Sequence, residues 1–75
     1  MKLGKYQHFK NKQLYEVIGI AIHSETLEEM VAYKALYDNS PFEFGQLWVR
    51  PKQMFLEMVE HEGKMVPRFQ WVESA

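Results

Sequence analysis

Trp48 and Arg50 have the residue types and the spacing to bind a ligand. They lie two positions apart in a predicted strand, so their side chains leave the same side of it. An indole ring can stack on a planar group, and a guanidinium can hold an anion through paired hydrogen bonds. The structural alternative is that Trp48 belongs to the core and Arg50 covers its rim through an ion pair. Pro51 follows directly and predicts that the strand ends there, at an open end of the fold.

Three histidines are the other groups that could carry chemistry: His8, His23 and His61. No two of them have the HxH or HxxxH spacing of a metal-binding pair, so the sequence predicts no metal site. His23 ends a predicted strand, and Glu29 is available across the following loop to orient its ring. A hydrogen-bonded loop anchor is the simpler interpretation of His23. The catalytic alternative is a small hydrolase that uses His23 and Glu29.

Four tyrosines could form an aromatic wall for a ligand, although aromatic rows in so short a chain are more often core: Tyr6, Tyr15, Tyr33 and Tyr37. We predict a binding site for an anionic or planar ligand, without catalytic residues or a cofactor. Its predicted lining is His8, His23, Tyr33, Trp48 and Arg50.

The composition predicts one folded domain over residues 1–75, with 47% hydrophobic and 15% aromatic residues. A chain of this size buries only about 60% of its unfolded surface, so we expect a monomer of modest stability or a weak homodimer. The absence of cysteine is compatible with a reducing compartment. The N-terminus lacks the apolar run of a signal peptide, and no stretch approaches the roughly 18 apolar residues of a membrane helix. We therefore expect a cytoplasmic protein.

The charge distribution does not favour a nucleic-acid binder, which would normally have a strongly basic face. The formal net charge is −1; residues 1–13 carry four lysines and no acid, whereas residues 14–46 carry six acids and one lysine. Nucleic-acid binding through the N-terminal lysines and aromatic residues is therefore the second hypothesis, after a binding module for a small molecule, a nucleotide or a peptide.

The first half of the chain is rich in strand-forming residues. Residues 5–9 predict a short strand, and residues 14–23 predict a long strand bent at Gly19. Residues 24–28 then form a hairpin loop, which sets Gly19 opposite Tyr33 and Val17 opposite Ala35. A helix over residues 27–37 is the alternative, because Thr26 and Glu29 have the spacing of a capping box.

In the second half, residues 38–45 predict a loop, residues 47–50 a strand, and residues near 51–55 one helical turn. A hairpin about Glu62-Gly63 aligns residues 56–60 with 65–72 and pairs Glu57 with Arg68. The same alignment sets Leu56 opposite Phe69. The side chains expected to pin this hairpin to the earlier strands are Leu47, Val49, Met54 and Phe55. We predict an all-β fold, a small SH3-like antiparallel barrel of five or six strands.

Several segments, in this order, resemble one family: Tyr6–Lys10, Leu14–Val17, Ala21–Thr26, Val31–Tyr33, Ala35–Tyr37, Leu47–Pro51, Met54–Phe55 and Val66–Phe69. The family is the short bacterial proteins known as domain of unknown function sixteen fifty-three. The resemblance implies no activity and no catalytic residues. Members typically have glycine where this chain has Leu27, which supports the hairpin and hence the β interpretation. They usually have a shorter connection before Leu47, so residues 41–44 depart from the pattern.

Overall fold

The computed structural model describes residues 1–74, which form seven strands and one short helix. Five strands form one sheet in the order β4-β3-β2-β1-β7, and β5 and β6 form a separate hairpin. The elements are β1 (Gly4–His8), β2 (Leu14–Ile22), β3 (Glu29–Ala35), β4 (Leu47–Pro51), α1 (Lys52–Phe55), β5 (Met58–His61), β6 (Lys64–Pro67) and β7 (Phe69–Glu73). Every strand pair is antiparallel, so the predicted all-β antiparallel class is confirmed.

The segment after the first hairpin is the strand β3, and the helical alternative for residues 27–37 is wrong. Thr26 does not cap a helix; its hydroxyl accepts a hydrogen bond from the Glu28 amide and so holds a turn. Leu27 has a positive φ of 64°, a conformation that costs a leucine energy and suits the glycine expected there. The local polar residues therefore stabilise the loop rather than the first turn of a helix.

The register between β2 and β3 differs from the predicted one. Gly19 lies opposite Ala32, and Tyr33 lies opposite Val17, because the pairing shifts by one residue between Val17 and Gly19. This irregularity places Ile18 as an extra residue in β2, as in a β-bulge. Nothing lies within 4 Å of a Cβ built on Gly19, so no aromatic ring covers it as predicted. Periodicity alone cannot reveal such an insertion, because it changes the pairing without changing the composition.

The hairpin of β5 and β6 forms with the predicted pairs Met58–Pro67 and Val59–Val66. Its turn has positive φ at Glu62 and at Gly63, as a tight hairpin turn requires. Beyond Pro67 the prediction fails, because β7 leaves this hairpin and pairs with β1. Leu56 therefore does not face Phe69; it follows the last turn of α1.

A closed barrel is not present in residues 1–74, since β4 and β7 are the two ends of the five-stranded sheet. The chain bends at Arg68, between β6 and β7, and the Arg68 carbonyl accepts a hydrogen bond from the Phe9 amide just after β1. The helical turn covers Lys52–Phe55, one residue later than expected, with Pro51 as the residue before it. No helix within the described residues has the length and apolar character needed to cross a bilayer.

The core lies on one face of the five-stranded sheet and is mainly aromatic: Tyr6, Tyr15, Val17, Val31, Tyr33, Ala35, Phe55 and Phe69. Phe55 from α1 stacks on Phe69 with the ring centroids 4.2 Å apart and the planes 3° from parallel. Of the four residues expected to pin the hairpin, only Phe55 is buried. Leu47, Val49 and Met54 are 60%, 61% and 47% exposed, since the first two project from the opposite face of β4.

Candidate functional site

Trp48 and Arg50 leave the same face of β4, as the spacing predicts. Their cross-strand neighbours are Tyr33 and Val31, which are both buried on the core face of the sheet. Here Trp48 and Arg50 line a groove of about 180 Å³ together with Tyr15, Tyr33 and Tyr37. Three of the five predicted site residues therefore converge on one concave surface, which we call the tyrosine groove.

Trp48 is a wall of the tyrosine groove rather than a core residue. It is 38% exposed, and its ring meets Phe42 edge to face with the centroids 5.0 Å apart. Phe42 belongs to the loop between β3 and β4, so this loop holds the indole from the side. An indole fixed in this way can stack on a planar group without a large loss of side-chain entropy.

Arg50 has no carboxylate partner within residues 1–74. The ion pairs of this region are Lys34–Glu16, Lys52–Glu29 and Arg68–Glu57. The Arg50 guanidinium lies instead over the Phe69 ring, 5.7 Å from its centroid. The alternative in which Arg50 covers the rim through an ion pair therefore has no acid to support it. The guanidinium is left with hydrogen-bond donors for a ligand.

The tyrosine hydroxyls form a short hydrogen-bonded chain at the groove. The Tyr15 and Tyr37 oxygens are 2.5 Å apart, and the Asn11 side-chain amide donates to the Tyr15 oxygen at 3.4 Å. Burial, followed by the hydrogen bond with Tyr15, raises the pKa of Tyr37 to about 12. Tyr37 is thus neutral at pH 7. When Asn11 donates to Tyr15 and Tyr15 donates to Tyr37, the Tyr37 hydroxyl keeps its own hydrogen for another acceptor.

His8 lies beside the groove but not in its lining. Its ring meets Phe69 edge to face at 5.0 Å, and its Nδ1 accepts a hydrogen bond from the Lys10 amide. The neutral imidazole therefore carries its proton on Nε2. Burial lowers the pKa of His8, and the positive charges of Arg50, Arg68 and Lys10 lower it further. The environment of His8 is thus electropositive.

A second cleft, of about 210 Å³, lies on the other side of His8, between β1 and the hairpin of β5 and β6. Phe9 separates His8 from His61 there, with centroid distances of 5.0 Å and 5.4 Å to the two imidazoles. No cluster of three or more potential metal-binding side chains occurs in the part of the chain that the structure describes.

His23 lies away from the other predicted site residues, in the loop between β2 and β3. Its Nδ1 accepts hydrogen bonds from the amides of Glu25 and Thr26, at 3.2 Å and 3.3 Å. Ile20 lies in the same cross-strand row as Arg50, through Val31. His23 is three residues beyond Ile20, which is roughly 10 Å farther along the chain. These contacts are those of a loop anchor. Glu29 forms an ion pair with Lys52, and no His23–Glu29 hydrogen bond or ion pair occurs in residues 1–74, which counts against the hydrolase alternative.

Tyr15 and Tyr37 line the groove although the predicted lining omits them. The signal was present in the sequence. Tyr37 is four residues after Tyr33 and therefore shares its strand face, and the predicted register, which pairs odd-numbered residues of the two strands, puts Tyr15 on the same face. A larger surface concavity, of about 550 Å³, is a different feature, lined only by residues of the loop between β3 and β4. Its Asp38 accepts a hydrogen bond from the Phe44 amide and so holds the loop itself.

Comparison with known proteins identifies relatives without an assigned activity. The family described as "Protein of unknown function (DUF1653)" matches residues 4–71. A crystal structure of a DUF1653 protein from Bordetella bronchiseptica is similar, with a TM-score of 0.86 and 29% sequence identity, over 100% of this chain and 91% of that chain. No curated protein matches the sequence. The chain belongs to the DUF1653 family.

Proposed function

We propose that the protein is a non-catalytic binding module whose tyrosine groove takes an anionic group. One observation carries the proposal: Arg50 is a half-buried residue whose guanidinium has no carboxylate partner in residues 1–74, in a groove that no acidic residue lines. Desolvating a charge is costly, so partly buried cations normally have a counter-ion or a ligand. An anion at Arg50 would supply the missing charge.

The other lining residues fit the same ligand class. Tyr37 is neutral and can donate a hydrogen bond, while Trp48 and Tyr33 present aromatic surface to a planar or apolar part of the ligand. The positive charges that lower the pKa of His8 add to the attraction for an anion.

The groove volume limits the size of the bound group. Sites for whole drug-sized ligands enclose about 300–1,000 Å³, whereas this groove encloses about 180 Å³. The groove therefore fits one charged group with one ring or side chain, and a larger ligand would extend beyond it. The proposal requires only this concave face and does not depend on closure of the sheets into an SH3-like barrel.

Nucleic-acid binding through the N-terminal lysines has weaker support. Lys2 lies over the Trp71 ring at 4.1 Å, and Lys5 is flanked across its strand by Glu16 and Glu73. Neighbouring acids and a ring contact thus oppose a phosphate backbone on this side of the sheet.

The test is an NMR titration of the protein with phenyl phosphate, with phenol as the neutral match. We expect phenyl phosphate, but not phenol, to shift the resonances of Tyr33, Trp48 and the Arg50 side chain. Arg50→Gln is expected to weaken binding by about tenfold or more, the usual value of a hydrogen bond to a charged group. Lys64→Gln, a change of an exposed cation in β6, serves as the control and is expected to leave the affinity unchanged.

The proposal is wrong if phenyl phosphate shifts no groove resonance, or if Arg50→Gln binds as well as the parent protein. Shifts confined to the cleft between His8 and His61 would assign the anion to that cleft and would also overturn it.

A further inference from the structure

The free edge of the five-stranded sheet is β4. Its one strand partner is β3, and the sheet order places no strand of residues 1–74 on its other side. Such an edge presents unpaired amide and carbonyl groups that can pair with another extended chain. The two groove residues Trp48 and Arg50 belong to this edge strand, so the edge and the tyrosine groove form one continuous surface.

The usual protection of an edge strand is largely missing from β4. Natural edges carry lysines, bulges or covering segments. Here Leu47, Trp48 and Val49 are consecutive and all exposed, and the pairing with β3 continues without a register shift. Arg50 is the one charged residue of the strand, and Pro51, its last residue, limits further pairing.

The strand at the other end of the sheet, β7, is joined to the segment before β1 by side-chain contacts. The Trp71 indole donates a hydrogen bond to the Leu3 carbonyl, and the Lys2 ammonium lies over the same ring. Residues near the N-terminus thus lie against β7, and Glu73 adds a charge to its end.

A strand added beside β4 would direct alternate side chains into the groove. Side chains of directly opposed residues lie about 4.5–5.5 Å apart at Cβ, which is within reach of the Arg50 guanidinium. The residue opposite Arg50 would therefore face the groove, and its two neighbours would lie opposite Val49 and Pro51, on the apolar face of β4 that also carries Leu47. A carboxylate at the first position and apolar groups at the flanking positions would complement both surfaces.

We propose that the partner of this protein is an extended peptide segment that adds as a strand to β4 and places an Asp or Glu side chain on Arg50. The inference rests on the proposed function, and it names the ligand as a protein segment with an acidic side chain between apolar ones. Main-chain hydrogen bonds to the β4 edge supply affinity, and the groove supplies specificity.

Charge complementarity favours such a peptide over a second copy of this chain. The strand β4 carries Arg50 and no acidic residue, so a second β4 strand would supply no carboxylate to either guanidinium. The groove, in contrast, has room for one acidic side chain beside its aromatic wall.

The test begins with selection of displayed random short peptides on the immobilised protein. We expect the enriched peptides to contain an Asp or Glu with apolar residues on both sides. Arg50→Gln is expected to weaken the binding of a selected synthetic peptide by about tenfold or more. Arg50→Glu is expected to enrich peptides with Lys or Arg at the same position. Lys64→Gln is the matched control and keeps the parent preference.

A backbone readout separates strand addition from simple charge pairing. N-methylation of alternate amides in the selected peptide removes the donors that a strand needs, so one set of methylated positions is expected to abolish binding and the other to be tolerated. Equal tolerance of both sets would overturn the proposal. Enrichment without an acidic residue, or an unchanged preference in Arg50→Glu, would overturn it as well.

The remaining outcomes identify other occupants. If sedimentation shows a concentration-dependent dimer that Val49→Lys dissociates, the edge binds a second copy of this chain. If oligothymidine shifts the groove resonances and no peptide is selected, the edge binds single-stranded nucleic acid. Either result overturns the peptide proposal. If phenyl phosphate binds at the groove and no peptide is selected, this inference fails while the proposed function stands. If neither binds, both fail.

Discussion

The two arginines of the chain have different local roles. Arg68 lies at the bend between β6 and β7, where its side chain pairs with Glu57, its amide donates to the Glu57 carbonyl and its carbonyl accepts from Phe9. Arg50 lies over the face of Phe69 and contacts no acid within the described residues. One arginine joins three segments of the fold, whereas the other makes a ring contact and no ion pair within the described residues. The difference comes from the neighbours, since the side chain is the same.

The largest expected effect comes from the ring stack that supports Arg50. Phe55→Ala would remove the ring that stacks on Phe69, and we expect the free energy of unfolding to fall by about 3–5 kcal/mol. Urea denaturation measures the change. Met54→Ala, at the neighbouring exposed position of α1, is the control, with an expected loss below about 1 kcal/mol. Equal losses in the two variants would show that the stack is not the centre of the core.

Exchanging each arginine for glutamine sharpens the comparison itself. We expect Arg68→Gln to lower the free energy of unfolding by about 1 kcal/mol, because it loses an exposed ion pair and the packing of its stem. Arg50→Gln is expected to cost about 0.5 kcal/mol or less, since it loses only a ring contact at a partly exposed site. For binding of phenyl phosphate the order reverses. If the same substitution caused the larger loss both of stability in denaturation and of affinity in titration, the distinction between the two arginines would be removed.

The smallest effect is the pH dependence contributed by His8. Its pKa in the folded protein is below the ordinary value of 6.5, so the unfolded chain binds the proton more readily. The stability from His8 is therefore complete above pH 6.5 and is lost as the pH falls toward the lowered pKa. His8→Gln is expected to flatten this part of the stability curve.

NMR titration of His8 connects the same group to the two arginines. Arg50→Gln is expected to raise the pKa of His8 more than Arg68→Gln does, because Arg50 is the stronger of the two charges acting on it. Bound phenyl phosphate is expected to raise it as well. If Arg50→Gln left the pKa of His8 unchanged, the His8 imidazole and the Arg50 guanidinium would be too far apart for the site described.

Local patterns in the sequence predicted much of the fold. The common face of Trp48 and Arg50, the helical turn after Pro51 and the Glu57–Arg68 pair all follow from strand periodicity, proline geometry or hairpin counting, and all are present. Such rules act over a few residues, within which the chain leaves little freedom.

The errors come from features that local rules do not contain. The extra residue Ile18 shifts the pairing of β2 with β3, and β7 pairs with a strand more than 60 residues earlier rather than continuing its own hairpin. The predicted site included His23 because a histidine beside a glutamate suggests chemistry, but the loop uses its Nδ1 for two backbone amides. The predicted lining omitted Tyr15 and Tyr37 although the predicted register had set them opposite each other; in the structure Tyr15 lies opposite Ala35.

The pairing of β7 with β1 has a consequence for how the chain acquires its structure. The strand β1 lies between β2 and β7, so one of its sides stays open until the last strand has been synthesised. A hydrogen bond from the Trp71 indole to the Leu3 carbonyl spans 68 residues, and contacts of this separation slow folding because a long loop must close first. During synthesis at the ribosome, the buried ring of Tyr6 therefore has no complete environment until Phe69–Glu73 emerges. Folding of this sheet is then a late, cooperative event.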